Sequence, residues 1–422
     1  MSPPAPDAAI AALASEIGDA RIVIGIPSFN NAHSIAHVAV TAVRGISGAF
    51  PGARALVLNS DGGSGDGTPE RFAESAIAAR AELGADGVAA IRAASIRYRG
   101  PSGKGSAFRD IFEVASRVGA AAVVVLDADL RSVTPEWIER LAAPVESGAH
   151  DFVAPLYRRH KFDGTITNSI IFPMTAALYG GNVRQPIGGD FGVGAQLVRL
   201  YLDTDVWSTD VARFGIDIWM TTTALAARFR VAQAHLGAKV HDPKDPGHHL
   251  AKMLVEVVGT AFGLLETYEN VWTNGVPSTI APILGDPVDT PHDPVNVDVG
   301  RMLEQFRFGV ETLRPVYALA MPEAILERVT AVASSNGAEG VDDVLWTRIV
   351  YAFAIAYRRR VIPRDQLLSS LTPLYLGRVA SFIVANQRKS DEEAEEQIQQ
   401  LARTFRSLRS DFVAAWREER RP

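Results

Sequence analysis

The chain contains no cysteine. This absence excludes disulfide bonds, thiolate nucleophiles and metal sites built on cysteine, none of which an intracellular enzyme needs. The chain also lacks an excess of basic residues, because 48 Asp and Glu outweigh 42 Lys and Arg and leave a formal net charge of -6. Nucleic-acid binding requires a basic surface, so we expect no nucleic-acid partner.

Long hydrophobic runs are scarce as well. The first 20 residues lack the basic start and the apolar centre of a signal peptide, and we find no uninterrupted apolar run of membrane-spanning length. The most apolar stretch, at 251–268, is interrupted by Lys252, Glu256 and Glu266. These features predict a core helix rather than a membrane span, and a cytoplasmic protein.

The length of 422 residues is too great for one ordinary core, which predicts two domains. We place a helical N-terminal extension at 1–20, a large α/β domain at 21–285 and an all-helical domain at 286–422. A Pro- and Asp-rich stretch at 274–294 is the predicted connector.

The large domain alternates β-rich and helical segments. Runs typical of strands occupy 21–27, 54–61, 87–93 and 120–129, and helical patterns lie between them. Strands separated by helices predict a parallel, doubly wound sheet. In such sheets ligands bind beyond the carboxyl ends of the strands.

The last 130 or so residues lose the β-rich runs. Helices are predicted at 341–361 and after Ser390, which forms a Ser-x-x-Glu capping box with Glu393. One face of the final helix is predicted to consist of Leu401, Phe405, Leu408, Phe412 and Trp416. The stretch 344–357 is more apolar than one helix can bury, which predicts a homodimer.

Asp127 and Asp129 follow the buried run "VVVL" directly. Two carboxylates at a strand end can hold one hard divalent cation, which in turn binds phosphate oxygens. The alternative interpretation is a helix-capping aspartate before "VTPEW". The pair alone does not separate these two interpretations.

Two glycine-rich loops accompany the acid pair. In "NSDGGSGDGT" (59–68) the glycines let the backbone approach a ligand, and Asp61 can accept hydrogen bonds from a base or a ribose. In "GPSGKG" (100–105) Lys104 can meet a phosphate as a point charge. Each loop taken alone is an ordinary turn, and the second does not match a Walker sequence.

In chain order, "PSFNN", "DGGSGDGT", the Gly-Lys-Gly loop and "DAD" resemble the nucleotide-sugar half of the glycosyltransferase A-type fold. Three further segments look like the acceptor and metal segments of retaining synthases that make mannosylglycerate, glucosylglycerate and glucosyl-3-phosphoglycerate; they are 184–198, 213–225 and 234–243. The C-terminal helical domain favours the first two synthases. The resemblance implies that 21–285 is a nucleotide-diphospho-sugar transferase domain.

The resemblance implies a set of donor contacts: Pro27, Phe29, Asn31, Asp61, Lys104, Asp127, Ala128, Gly188 and Gly189. Asp127 would face the ribose and the metal, and Asp129 and His241 would ligate the metal. Histidine suits Mn²⁺ better than Mg²⁺. Without the resemblance His241 is a loop histidine close to His248 and His249.

Acceptor binding is assigned by the same resemblance to Arg159 and Thr167, with Arg159 offering a bidentate fork to a carboxylate. Apart from the resemblance, Arg159 and its neighbour Arg158 are a solvated basic pair at a strand end. The related synthases carry tryptophan ahead of "GID" where this chain has Phe214. This departure affects the identity of the acceptor.

The reaction mechanism depends on whether a carboxylate acts as a base. Asp190 or Asp217 could deprotonate the acceptor in an inverting enzyme. In a retaining enzyme the leaving diphosphate can accept that proton, so Asp217 would orient the acceptor or the sugar. Asp217 can also be read as an acid that stabilises the first turn of a helix.

The implied function is metal-dependent transfer, with retention, of glucose or mannose from a GDP- or UDP-sugar to D-glycerate or a related small carboxylate. The alternatives are glucosyl-3-phosphoglycerate synthesis, an inverting family-two glycosyltransferase, a sugar nucleotidyltransferase and a non-catalytic binding module. The family-two enzyme would predict a membrane segment that we do not find. A nucleotidyltransferase would predict a Gly-rich, Arg-bearing loop where this chain has "IPSFNNAHS".

Overall fold

The computed structural model describes residues 8–241, 248–275, 280–288, 291–292, 294–335 and 339–418, apart from the side chains of 86–88 and 248–249. The chain forms two compact units, each made of several segments. The first comprises Met1–Arg158, Ile187–Lys244 and Ala281–His292. The second comprises Arg159–Pro186, Asp245–Ile280 and Asp293–Pro422. The second unit therefore takes in segments on both sides of position 285, and the single boundary placed there stays a prediction.

The first unit is built on a mixed sheet. Its strands are β1 (Ile22–Ser28), β2 (Ala55–Asp61), β3 (Ile91–Arg97), β4 (Ala122–Val125), β5 (Phe152–Arg158), β6 (Phe191–Gly194), β7 (Val231–Ala238) and β8 (Ile283–Leu284). Within the described residues the order is β3-β2-β1-β4-β6-β5-β7-β8. All neighbours pair in parallel except β6, which runs antiparallel to β4 and β5.

The helices from the first half of the chain are α1 (Ala8–Ile17), α2 (Ile35–Ala49), α3 (Thr68–Glu82), α4 (Gly84–Ala90), α5 (Lys104–Arg117), α6 (Pro135–Glu146), α7 (Phe172–Tyr179), α8 (Ala195–Asp203) and α9 (Ile216–Ala226). Those that follow are α10 (His248–Thr267), α11 (Glu269–Trp272), α12 (Val299–Thr312), α13 (Arg314–Ala320), α14 (Glu323–Ser334), α15 (Asp343–Arg359), α16 (Arg364–Asn386), α17 (Asp391–Ser407) and α18 (Arg409–Glu418). The predicted α/β class with a helical C-terminal part is confirmed.

The four predicted strands, β1 to β4, pair in parallel as predicted. The whole sheet is nevertheless mixed, because β6, which the sequence did not reveal as a strand, runs in the opposite direction. One prediction in the sheet was wrong. The strand predicted at 87–93 begins only at Ile91, and α4 occupies the residues before it. Its alanines are good helix formers, and the apolar character of "GVAA" does not distinguish a helix from a strand.

The core of the first unit follows from alternation along β1. Ile22, Ile24 and Ile26 are fully buried in a cluster that includes residues of α2 and α6. Gly25 lies between them, and a Cβ placed on it would be 2.4 Å from Ile111 of α5. The strand is thus covered on both faces, which fixes the position of its carboxyl end.

The second unit contains the C-terminal helices. The predicted capping box of Ser390 and Glu393 is confirmed at the start of α17. The predicted final helix is wrong in one respect, because it is interrupted at Leu408 between α17 and α18. The predicted apolar residues apart from Leu408 are nevertheless buried, at Leu401, Phe405, Phe412 and Trp416.

The apolar stretch that predicted a dimer lies in α15. Trp346 and Phe353 are fully buried within the chain, and Trp346 Nε1 donates a hydrogen bond to the carbonyl of Ser169 at 2.7 Å. The packing of the second unit itself therefore accounts for much of this apolar surface. The predicted homodimer stays a prediction.

One described helix, α16, is long and apolar enough to cross a membrane by length and composition. Of the apolar 18-residue window of α16, 61% is buried inside the chain. Such burial is typical of a core helix. The stretch 251–268, predicted to be a core helix, coincides with most of α10.

Candidate active site

The loops that follow β1 and β2 are joined to each other by hydrogen bonds. The backbone N–H of Asn30 donates to Ser64 Oγ at 2.8 Å, and the N–H of Asn31 donates to Thr68 Oγ1 at 2.8 Å. In the opposite direction, the N–H of Gly65 donates to Asn30 Oδ1 at 3.1 Å. Asn30 has a φ of 55°, a left-handed conformation that asparagine tolerates better than most residues. The two loops therefore form one connected rim at the carboxyl edge of the sheet.

Asp61, the last residue of β2, organises this rim. Its Oδ1 accepts from Ser28 Oγ at 2.9 Å and from Ser64 Oγ at 2.6 Å. Its Oδ2 accepts from the N–H groups of Gly63 and Ser64, both at 2.7 Å. Asp61 is 4% exposed, so its carboxylate shapes the loop, and the predicted contact with a nucleotide would have to share these oxygens.

Two predicted donor residues belong to the β1 end of the rim. Pro27 is paired with Ser60 within the sheet. Phe29 is 58% exposed, and its Cδ2 would lie 3.0 Å from a Cβ placed on Gly62. The rim thus presents an aromatic ring to solvent beside a glycine turn.

Asp127 lies two residues beyond β4 and contacts two lysines. Its Oδ1 is 2.7 Å from Lys104 Nζ, and its Oδ2 is 2.7 Å from Lys239 Nζ. These ion pairs connect residues separated by as many as 112 positions in the sequence. Both oxygens of the first acid in "DAD" are therefore neutralised by ammonium groups.

Asp190 lies beneath this pair and is completely buried. Its Oδ1 accepts from the backbone N–H of Asp127 at 2.7 Å. Its Oδ2 accepts from the hydroxyl of Tyr157 and, at 2.8 Å, from Lys239 Nζ. With both oxygens bonded and no exposed surface, Asp190 is placed to hold other groups in position. A catalytic part for it stays a prediction.

Lys239 was not predicted from the sequence. It follows β7 directly, and its side chain is 5% exposed. It precedes His241 by two residues, and alternate residues of an extended chain point to the same side. This spacing was the available signal, because a lysine at a strand end beside a predicted metal ligand is a candidate site residue.

Asp217, in the first turn of α9, faces the other side of Lys104. Its Oδ1 is 3.3 Å from Lys104 Nζ. This oxygen is buried, and within the described residues it has no hydrogen-bond partner. Burial raises the pKa of Asp217, and the ammonium of Lys104 opposes that rise. Asp217 Oδ1 therefore has an ion-pair partner in Lys104 but can still accept a hydrogen bond.

Opposing effects set the pKa of Lys104. Burial alone would lower its pKa, but the carboxylates of Asp127, Asp217 and Asp190 raise the pKa overall. Nζ also contacts the carbonyl of Gly189 at 3.2 Å and lies 5.1 Å from the ring centre of Phe108. Lys104 therefore stays charged at neutral pH.

Glycines allow Lys104 to approach Asp217. A Cβ placed on Gly105 would lie 1.8 Å from the carbonyl oxygen of Val211, and the N–H of Gly105 donates to the carbonyl of Arg213 at 3.2 Å. The Gly-Lys-Gly loop is thus packed on the turn that leads into α9. Phe214 lies in that turn and is half-buried.

The turn containing Gly188 and Gly189 closes the site. The carbonyl of Gly188 accepts from Lys239 Nζ at 2.8 Å. Gly189 has a φ of 96°, and a Cβ there would lie 2.5 Å from Asp127 Oδ2 and 2.8 Å from Lys239 Nζ. The positive φ and these two protein contacts favour glycine at this position. The contact of Gly188 and Gly189 with the sugar stays a prediction.

The predicted metal ligands lie on adjoining backbone. Leu130 and His241 form an antiparallel bridge, which places His241 opposite the neighbour of Asp129. Asp129 is 9% exposed, and the carbonyl of neighbouring Ala128 accepts from Ser34 Oγ at 2.8 Å. Among the residues that the structure describes, no group of three or more His, Asp or Glu is arranged to hold a metal ion. Ligation by Asp127, Asp129 and His241 together stays a prediction.

The predicted acceptor residues belong to different units. Arg159 and Thr167 lie in the second unit, and Phe214 lies in the first. Arg159 Nη1 is 3.0 Å from Asp163 Oδ2, and its Nε is 3.4 Å from Gln185 Oε1. Thr167 begins a π-helical turn that extends to Ile171. Their common role in binding the acceptor stays a prediction.

No protein-family model matches this chain. No curated protein matches it either. Among solved structures, the chain is similar to glucosyl-3-phosphoglycerate synthase from Mycobacterium tuberculosis in complex with Mn²⁺, UDP and glucosyl-3-phosphoglycerate. The sequence identity is 23% and the TM-score is 0.43. The match covers 63% of this chain and 86% of that chain. The same enzyme in complex with Mn²⁺, UDP and phosphoglyceric acid gives 25% identity, a TM-score of 0.43, and coverage of 63% and 84%. A mycobacterial protein gives 23% identity, a TM-score of 0.42, and coverage of 63% and 80%.

Proposed function

We propose that this chain is a metal-dependent, retaining glycosyltransferase that moves a hexose from a nucleotide-diphosphate sugar to D-glycerate or a related small carboxylate. The observation that carries the proposal is the gathering of Lys104, Asp127 and Asp217 at the carboxyl edge of the sheet. The ammonium can meet a diphosphate, and the neighbouring carboxylates can accept hydrogen bonds from sugar hydroxyl groups. This edge is where α/β sheets bind nucleotides.

The donor fits the groups around this point. Lys104 would bind the diphosphate as a compact point charge. The joined rim of the β1 and β2 loops would hold the nucleoside, with the exposed ring of Phe29 as a stacking face for the base. Asn31 and Asp61 would take part through the rim that their hydrogen bonds shape. Gly188 and Gly189 would admit the sugar close to the backbone.

A divalent cation fits Asp129 and His241 better than Asp127. The oxygens of Asp127 already face two ammonium groups, whereas the strand bridge brings the backbone of His241 beside Asp129. When bound there, the cation would neutralise charge on the departing diphosphate. A carboxylate with an imidazole can hold Mg²⁺ or Mn²⁺, and the imidazole favours Mn²⁺.

The two predicted catalytic acids differ in what they can do. Asp190 is sealed from solvent and bonded at both oxygens, so it is poorly placed to accept a proton from a substrate. In the part of the chain that the structure describes, Asp217 Oδ1 lies beside Lys104 but accepts no hydrogen bond, so it can accept one from a hydroxyl group of the acceptor or the sugar. In retention the departing diphosphate accepts the acceptor proton, and Asp217 needs only to orient.

We assign the acceptor carboxylate to the guanidinium of Arg159, and we propose Thr167 and Phe214 as further residues that determine which acceptor is used. Arginine offers two parallel N–H donors to a carboxylate, which fixes its orientation as well as its position. The contacts of Arg159 with Asp163 and Gln185 hold the side chain ready, because they restrict its rotamers. We further propose a cytoplasmic homodimer that acts on small molecules and has neither a nucleic-acid partner nor a membrane span.

The test is product analysis with UDP-glucose, GDP-glucose and GDP-mannose, each with D-glycerate or 3-phosphoglycerate and Mn²⁺. UDP, Mn²⁺ and phosphoglyceric acid, bound in the mycobacterial structures, are the first compounds to test. We expect a glycosylated acceptor whose proton NMR spectrum has the anomeric coupling of the donor, and no product with EDTA. An inverted anomer would overturn retention. The absence of product with every acceptor would overturn the acceptor assignment.

A further inference from the structure

Among the described residues, the ammonium of Lys239 donates hydrogen bonds to three oxygen atoms. These are Asp127 Oδ2 at 2.7 Å, Asp190 Oδ2 at 2.8 Å and the carbonyl oxygen of Gly188 at 2.8 Å. A lysine ammonium has three N–H bonds, and each can be directed at one of these oxygens. The side chain is 5% exposed and its Nζ lies 5.3 Å from the ring centre of Tyr157. Lys239 is therefore occupied by protein groups.

These contacts connect the ends of several strands. Lys239 follows β7, Asp127 follows β4, and Asp190 directly precedes β6. Tyr157, near the end of β5, donates to the same carboxylate oxygen of Asp190 as Lys239 does. Lys239 therefore helps to hold both the carboxylate of Asp127 and the turn at Gly188 in position.

The ammonium of Lys239 also changes what the carboxylate of Asp127 can bind. Its Oδ2 faces Lys239 and its Oδ1 faces Lys104, so a divalent cation approaching this carboxylate would meet two positive charges. Asp129 and His241 are left as the protein ligands. Two ligands hold a divalent cation weakly, and the diphosphate of a donor can supply further oxygens.

Resting on the proposed function, we propose that Lys239 is a positioning residue that withholds Asp127 from the metal ion and so makes metal binding depend on the nucleotide. With Lys239 in place, Mn²⁺ binds weakly to the free protein and strongly with the nucleoside diphosphate. Without its charge, Asp127 Oδ2 becomes available to Mn²⁺ alone. A purely structural lysine would not produce this gain in metal affinity.

The experiment measures free Mn²⁺ by electron paramagnetic resonance, with and without UDP or GDP. The variants are Lys239→Met, the pair Lys239→Met with Asp190→Asn, and Lys239→Arg. The pair is included because removing Lys239 alone leaves two buried carboxylates without a counter-charge. Lys252→Met is the matched control, since Lys252 is 63% exposed and pairs only loosely with Glu256, at 3.8 Å.

In the wild type and the control we expect the nucleotide to tighten Mn²⁺ binding about tenfold or more. In the neutral variants we expect Mn²⁺ alone to bind about tenfold more tightly than in the wild type, with the nucleotide adding little. Lys239→Arg should keep the wild-type dependence because it retains the charge.

Wild-type Mn²⁺ affinity and nucleotide dependence in a folded neutral variant would overturn the role of Lys239. Failure of both neutral variants to fold, judged by circular dichroism, would also overturn it and assign Lys239 to folding. A wild-type protein that binds neither UDP nor GDP with Mn²⁺ would instead refute the proposed function. In that case the affinity for Mn²⁺ alone separates the two failures, because it needs no nucleotide.

Discussion

Lys104 Nζ lies 3.3 Å from Asp217 Oδ1, although 113 positions separate the two residues in the sequence. Lys104 is the first residue of α5, and Asp217 lies in the first turn of α9. The glycines on both sides of Lys104 let the two segments approach each other closely. The two residues do not form an isolated pair, because Lys104 also binds Asp127. One cation thus links the acid at the strand end to the acid at the helix start.

Replacing Lys104 by methionine should remove this link while keeping the length of the side chain. We expect kcat/KM to fall by about 100-fold or more, because a charge that stabilises the departing diphosphate is lost. Calorimetric titration with UDP or GDP and Mn²⁺ should show a matching loss of nucleotide affinity. Lys252→Met should retain full activity, and an equally active Lys104→Met would contradict a role for this lysine at the diphosphate.

The substitution Asp217→Asn separates orientation from binding. We expect kcat to fall by about 100-fold, since an oriented hydroxyl partner is lost, while the donor dissociation constant changes by less than about threefold. Steady-state kinetics with calorimetry measures both quantities. A variant with full kcat, or one that loses donor affinity alone, would rule out the orienting role.

The same variant has a pH signature. The pKa of Asp217 is raised above 3.8 in the folded state by burial, against the opposing effect of Lys104. The protonated carboxyl is therefore favoured by folding, and this contribution to stability is present below pH 3.8 and is lost as the pH rises through the folded pKa. As the pH rises through the folded pKa of Asp217, the wild type should therefore lose stability relative to Asp217→Asn. Thermal melting at a series of pH values measures this difference.

The sequence alone predicted those candidate site residues that have a distinctive local context. Asp127 follows an apolar run, Lys104 lies between glycines and Asp217 begins an apolar helix, so their charge and local context predict exposure to a ligand. Lys239 and Tyr157 were missed because their partners come from distant segments, and nothing in "AKVHDP" or "APLYRR" points to Asp190. The reversal of β6 was equally hidden, since four residues such as "FGVG" contain no signal of strand direction.

Gly189→Ala tests the turn beside Asp127. The substitution requires a left-handed φ of 96° and brings Cβ within 2.5 Å of Asp127 Oδ2, so two costs combine. We expect a loss of about 3 kcal/mol or more in the free energy of unfolding, and loss of donor binding. Denaturant titration measures the first quantity and calorimetry the second.

Gly52→Ala is the matched control for Gly189→Ala. Gly52 has a φ of 76°, but a Cβ there meets no atom within 4 Å. We expect Gly52→Ala to lower the free energy of unfolding by about 1 kcal/mol, because only the backbone conformation is strained. Donor binding should be unchanged. Equal effects of the two substitutions would mean that crowding at Asp127 contributes nothing.

Arg184 and Glu395 form a bidentate pair in the second unit, at 2.7 and 2.8 Å. Burial alone would raise the pKa of Glu395, but the guanidinium of Arg184 lowers it below 4.5 overall. The stabilisation is therefore present above pH 4.5 and is lost as the pH falls through the folded pKa. Because the Glu395 side chain is 43% exposed, solvent screening limits the effect.

Glu395→Gln should lower the free energy of unfolding at pH 7 by about 1 kcal/mol or less. The difference from the wild type should disappear below the folded pKa, as followed by urea denaturation across the acid range. Glu396→Gln is the control, because the side chain of Glu396 is 69% exposed and should contribute little at any pH. A difference that persists in acid would contradict the ion pair as its source.

His241 gives the most direct test of the metal assignment. Its backbone is bridged to Leu130, so His241→Ala removes the imidazole without removing the strand contact. We expect the affinity for Mn²⁺ in the presence of the nucleotide to fall by about 10- to 100-fold, and activity to recover as Mn²⁺ is raised. His241→Asp should shift the preference from Mn²⁺ toward Mg²⁺, because an oxygen ligand replaces nitrogen.

His37→Ala, on an exposed position of α2, is the control and should leave the binding of both metals unaffected. If His241→Ala keeps wild-type Mn²⁺ affinity while Asp129→Asn loses it, the ion is held without the imidazole and the second protein ligand must be sought elsewhere.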